Sequence, residues 1–120
     1  MKQETRRTRS TPRFPFIAIA ELTQKESGGQ LNSRVAEISL NGCYVDMLNP
    51  LPIERLVAIK IFAESECFEA IAKVIYAHAN LGMGLAFQEV SIKSGDLLRR
   101  WLAKANELHG ESSCLDPLGI

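Results

Sequence analysis

From residue 14 to residue 89, hydrophobic positions recur every second residue in short runs separated by turn-forming residues. Phe14, Phe16, Ala18, Ala20 and Leu22 alternate with Ile17, Ile19 and Glu21. Both sets are partly apolar, which predicts a first strand covered on both sides. Lys25–Gln30 is polar and holds Gly28 and Gly29, as a hairpin loop does. A second strand is expected over 31–39. The Leu40-Asn41-Gly42 turn follows it, where Asn-Gly readily adopts positive φ. A third strand places Cys43, Val45 and Met47 on one face and ends at Asn49-Pro50-Leu51-Pro52, because proline cannot donate to a ladder.

A fourth strand over 56–62 sets Val57, Ile59 and Ile61 against Ala58 and Lys60. After a turn at Glu64-Ser65-Glu66, a fifth strand over 67–78 puts Phe68, Ala70, Ala72, Val74 and Tyr76 on one side. The sixth covers 81–88, and its Gly82 and Gly84 signal a bulge or a close backbone contact. The period then lengthens. Ser91 or Ser94 can cap a helix with Asp96 in its first turn. Leu97, Leu98, Trp101, Leu102, Ala105 and Leu108 form its apolar stripe, with Arg99, Arg100 and Lys104 opposite. This helix is expected to end near Gly110.

The expected fold class is all-β with a C-terminal helix: a six-stranded antiparallel barrel, which leaves no open sheet edge, with the helix across one mouth or flank. Residues 1–13 read as a basic N-terminal arm, 14–109 as the barrel and helix, and 110–120 as a loose tail. The chain's 120 residues fit one domain. A domain of that size buries roughly two thirds of its unfolded surface and folds without a disulfide or metal. Cys43, Cys67 and Cys114 are odd in number and far apart, so they read as reduced thiols in a cytoplasmic protein. The polar N-terminus is not a signal peptide. No apolar run approaches the roughly 20 residues that span a membrane.

A formal net charge of zero conceals an asymmetry. In the arm, Lys2, Arg6, Arg7, Arg9 and Arg13 stand against Glu4 alone, a net +4, and the remainder carries −4. Such an arm is either an anion-binding device or a solvated tail. The acidic body argues against nucleic acid as the partner.

Catalysis finds no support. His78 and His109 lack a partner at metal-ligand spacing. There is no Gly-x-Ser-x-Gly elbow, no Cys-His signature and no phosphate loop ending in Lys-Ser/Thr. No catalytic residue, metal or cofactor is therefore expected. The arginines carry the chemistry instead. A guanidinium can bond both O6 and N7 of guanine, stack on a base, or pair with phosphate. Glu37 can accept from the guanine N1–H and exocyclic amine, Ser39 can donate to a phosphate oxygen, and Gly42 lets a ligand near the backbone.

Arg9-Ser-Thr-Pro-Arg13, then Glu37-Ile-Ser39-Leu-Asn-Gly42, resembles the PilZ domain family of bacterial cyclic di-GMP receptors. That family carries Arg-x-x-x-Arg before its first strand and Asp/Asn-x-Ser-x-x-Gly at the end of its second. Gly82-Met-Gly84-Leu-Ala-Phe87 is similar to the family's last strand. The resemblance covers about residues 6–105. It implies that Arg9 and Arg13 hold guanine and phosphate while Glu37, Ser39 and Gly42 line the base pocket, with Arg6, Arg7 and Asn41 as secondary contacts. It also implies that the arm orders on the ligand and so signals to an effector protein. Glu37 departs from Asp/Asn by one methylene, which implies weaker binding. Thr8 stands where some relatives have a further arginine that helps bind a stacked ligand dimer, so one ligand per chain is expected. The alternative is a nucleotide-independent PilZ-type adaptor that acts by binding another protein.

Overall fold

A computed structural model of the chain describes residues 12–115, with side chains as far as residue 107. Six strands and one helix follow in order: β1 (Phe14–Gln24), β2 (Gln30–Ile38), β3 (Gly42–Asp46), β4 (Leu56–Ala63), β5 (Glu66–His78), β6 (Gly82–Val90) and α1 (Ile92–Leu115). The strands close into an antiparallel barrel in the order β1-β2-β3-β6-β5-β4. The expected fold class is the observed one, and strand limits agree to within one or two residues.

The core is the inward row of each alternating run. Ala20, Leu22, Val35, Val45, Val57, Ile59, Ile61, Phe68, Ala72 and Val74 are all sealed inside the barrel. Helix α1 closes the mouth formed by the start of β1, the start of β5 and the end of β6. Its Trp101 ring lies 5.2 Å from Phe16 and 6.3 Å from Phe68, which in turn sits 5.0 Å from Phe87. Ser91 caps the helix, its hydroxyl accepting from the Ser94 amide at 3.1 Å. The Ser94 hydroxyl accepts from the Glu69 amide at 3.1 Å, tying the first turn to β5. Lys104–Glu64 and Arg100–Glu66 ion pairs of 3.0 and 3.2 Å hold the exposed side. No helix among the described residues is long and apolar enough to cross a membrane.

Five expectations are corrected. The outer face of β1 is open: Ile17 and Ile19 are exposed, because the helix docks at the mouth and covers no strand's flank. Asp96 lies beyond the first turn and pairs instead with Arg99 at 3.2 Å. The helix passes Gly110 to Leu115. A lone glycine costs a helix only about 1 kcal/mol, whereas the residues just before Pro117 are the harder stop. Neither Asn41 nor Gly42 takes positive φ. Tyr76 leaves the inward row of β5, because the β5–β6 ladder shifts register between Val74 and Tyr76.

Positive φ appears at the β4–β5 hairpin, where Glu64 (φ 52°) and Ser65 (φ 66°) form a two-residue turn without glycine. Left-handed backbone costs a residue with a Cβ about 1 kcal/mol. Ser65→Gly should therefore raise unfolding free energy by about 0.5–1 kcal/mol. A urea melt reads this, and a lower midpoint would contradict it.

Candidate functional site

The β1–β2 register assembles the site. Phe14 pairs with Ile38 and Pro15 with Glu37, so Arg13, immediately before β1, stands beside the end of β2. Its Nη1 lies 3.8 Å from Glu37 Oε1 and donates to Tyr76 Oη at 3.4 Å. A groove of about 200 Å³ opens here on the outer barrel wall. Arg13, Glu37, Ser39, Asn41 and Gly42 line it, together with Tyr44, Tyr76 and Gly84. Five residues expected at a ligand site are thus neighbours in space. Arg6, Arg7 and Arg9 lie outside the described residues.

Glu37 reaches this groove through an irregularity. Val35 and Ile38 are both buried, three residues apart, which strict alternation forbids. The β2–β3 ladder shifts register between Val35 and Glu37, turning the Glu37 side chain outward and Ile38 into the core.

Ser39 and Gly42 are placed as expected, and both have work within the fold. The Ser39 hydroxyl accepts from the Asn41 and Gly42 amides at 3.3 and 3.2 Å and donates to the Gly42 carbonyl at 3.2 Å. Its amide also donates to that carbonyl at 2.8 Å. The buried hydroxyl therefore organises the turn. Gly42 has no side chain because a Cβ there would overlap the Leu85 carbonyl oxygen of β6. Backbone packing against β6 demands the glycine.

Sequence reasoning missed Tyr44 and the outward Tyr76. Their rings lie 6.1 Å apart at 30°, and a Cβ on Gly84 or Gly82 would strike the Tyr76 or the Tyr44 ring respectively. The signal was the glycine pair itself, since a strand glycine is often covered by a cross-strand aromatic. Tyr44 Oη and His78 Nδ1 share a hydrogen bond of 3.1 Å. Desolvation foremost, then the charges of Tyr76, Asp46 and Glu37, raises the Tyr44 pKa, so this phenol stays neutral at ordinary pH. Burial pushes the Cys43 thiol up to about 12, which makes it a packing group and no nucleophile. Among the described residues no three metal-ligating side chains gather.

The family model described as PilZ domain matches residues 7–104. The chain is also similar to solved structures. The PilZ domain of YcgR from Escherichia coli with c-di-GMP matches at 15% identity and a TM-score of 0.66, over 86% of this chain and 95% of that one. Full YcgR in complex with c-di-GMP matches at 16% and 0.70, over 86% and 48%. The MrkH–c-di-GMP complex of K. pneumonia matches at 14% and 0.67, over 84% and 52%. Comparison with curated proteins gives no match.

Gly42→Ala should destabilise the fold by about 1–3 kcal/mol, since the clash is with backbone that cannot swing aside. A denaturant melt measures it without any ligand, and an unchanged midpoint would mean that β3 and β6 are less tightly apposed. For Cys43, the unfolded thiol titrates near 9.0 and the folded one near 12. Its contribution is complete below pH 9 and is lost as pH rises through that window. Stability should fall less steeply over pH 9–12 in Cys43→Ala than in the wild type.

Proposed function

The chain belongs to the PilZ domain family, and from that premise we propose that it binds cyclic di-GMP at this groove and relays occupancy to a partner protein through the arm of residues 1–13. The observation that carries the reading is the meeting of Arg13 with Glu37 and the Ser39–Gly42 turn in one groove. Crystallised PilZ neighbours that hold c-di-GMP support it.

The chemistry is an exchange of partners. Arg13 and Glu37 are each about half exposed, at 56% and 47% of the side chain. An ion pair in that setting contributes about 0–1 kcal/mol, so it is easily given up. Guanine offers Arg13 two acceptors at O6 and N7, and a phosphate offers it a charge-assisted bidentate pair. The released Glu37 carboxylate accepts from guanine N1–H and its exocyclic amine. The Ser39 hydroxyl keeps the turn in shape, leaving backbone around Asn41 and Gly42 at the groove edge. Sites for drug-sized ligands measure roughly 300–1,000 Å³. A groove of about 200 Å³ therefore receives part of a cyclic dinucleotide and needs another wall. Arg9 and its neighbours in the arm are the residues assigned to that wall, and their net positive charge speeds capture of a doubly anionic ligand.

One observation favours the second reading, a PilZ-type adaptor that binds protein and no nucleotide. Glu37, one methylene longer than Asp, already occupies Arg13. Calorimetric titration with cyclic di-GMP in low salt, with GTP as control, separates the two. Heat is expected with cyclic di-GMP only. Arg13→Ala should weaken binding by about ten- to hundredfold through loss of the bidentate contact. Glu37→Asp should bind at least as tightly as the wild type. Silence from both the wild type and Glu37→Asp would overturn nucleotide binding and favour the adaptor.

A further inference from the structure

We propose that the uncovered outer wall of β1 and β4 is an interface between two copies of this chain, related by a twofold axis that runs along the strands. Ile17, Ile19 and Phe62 stand out from this wall, at 69%, 56% and 38% exposure. Ile19 and Phe62 are cross-strand partners, and Ile17 is the next outward residue of β1. The three form one apolar strip beside the mouth that the helix closes. Singly exposed apolar residues are ordinary, whereas a contiguous group rimmed by charge marks a contact surface. The rim lies one outward row further along, where Glu21 of β1 pairs in register with Lys60 of β4. Neither closes a salt bridge with another described residue.

The order of these residues identifies the occupant. A twofold axis between β1 and β4 lays each strand over the other strand of the second copy. Ile19 then meets the second copy's Phe62, and Phe62 meets its Ile19. Glu21 meets the second copy's Lys60, and Lys60 meets its Glu21. Two adjacent rows thus supply an apolar centre and two reciprocal ion pairs, the self-complementarity that an isologous dimer requires. A rim of one sign would repel its copy. Here the signs exchange, and the chain's formal net charge of zero adds no overall repulsion. The walls of a closed barrel are convex, so two of them touch along a narrow strip, and β1 with β4 provides one. Arg34 on β2 and Glu69 on β5 flank it. A contact of this width is small, so the association is weak and concentration-dependent. It uses no residue that lines the groove of Arg13 and Glu37 and needs no nucleotide.

Sedimentation of the full chain over a concentration series tests the interface. The wild-type mass should rise from one chain toward two in the absence of nucleotide. Glu21→Lys and Lys60→Glu should each weaken association by roughly tenfold or more, because each sets like charges face to face. An equimolar mixture of these two variants should associate about as well as the wild type, since every cross-copy contact then joins Lys to Glu. Charge pairs within one chain cannot produce that rescue. Ile19→Asp should stay monomeric, with a thermal melt to show that its barrel is intact. A wild type that remains monomeric at high micromolar concentration overturns the proposal. So does a dimer that survives Ile19→Asp, or a pair of charge variants that fails to recover on mixing. Should Ile19→Asp unfold, the mixing experiment decides alone.

Discussion

Two register shifts in the barrel decide where its chemistry lies. In a strand with regular alternation, residues 35 and 37 face the same way, as do residues 74 and 76. Val35 and Val74 are completely buried, so unbroken strands would aim Glu37 and Tyr76 into the core. A buried carboxylate without a cation is strongly unfavourable, and a buried phenol needs a partner. The shifts beside Val35 and Val74 turn both outward within the same patch of wall. Bulges are common beside functional sites for this reason: they re-aim a side chain without disturbing the rest of the ladder. The β1–β2 pairing completes the arrangement, because Phe14↔Ile38 brings the residue before β1 up to the end of β2.

In the same patch, residues expected in ligand chemistry also have structural duties. Ser39 and Gly42 shape a corner that positive φ could have made differently. The serine hydroxyl satisfies two amides that a tight turn would leave unpaired. The glycine lets β3 approach the Leu85 carbonyl. A motif of this kind can therefore persist in a chain through packing alone. Arg13 and Glu37 have no such second duty, since both are half exposed and contribute little to the fold. Substitution at either should cost the fold little.

Much of this was legible in the sequence, and the boundary has a physical cause. Alternation gave the strands because most have one face sealed and the other open, as β4 and β5 do. The change of period at Ser91 gave the helix, and Trp101 fell in the core as its spacing implied. Arg13, Glu37, Ser39, Asn41 and Gly42 were named and do converge on one groove. Period-two reasoning failed where a ladder skips a position, since one extra residue leaves no mark in an alternating pattern. Tyr76 was assigned inward for that reason. Tyr44 was overlooked because an outward aromatic on a strand is unremarkable until the glycines facing it are seen to be empty. The open outer face of β1 was missed because an apolar pattern on both sides of a strand does not say whether anything covers the second side.

The arrangement also bears on why the ion pair and the tyrosines belong together. Left alone, a long arginine before a strand samples many rotamers, and ordering it opposes binding. Contacts with Glu37 and Tyr76 restrict those rotamers weakly and hold Arg13 at the groove. A deeper pair would hold it too firmly: a buried salt bridge is strongly destabilised when one partner leaves. Half exposure is the intermediate condition. It restricts the guanidinium at little cost to the fold and leaves it able to exchange Glu37 for another acceptor.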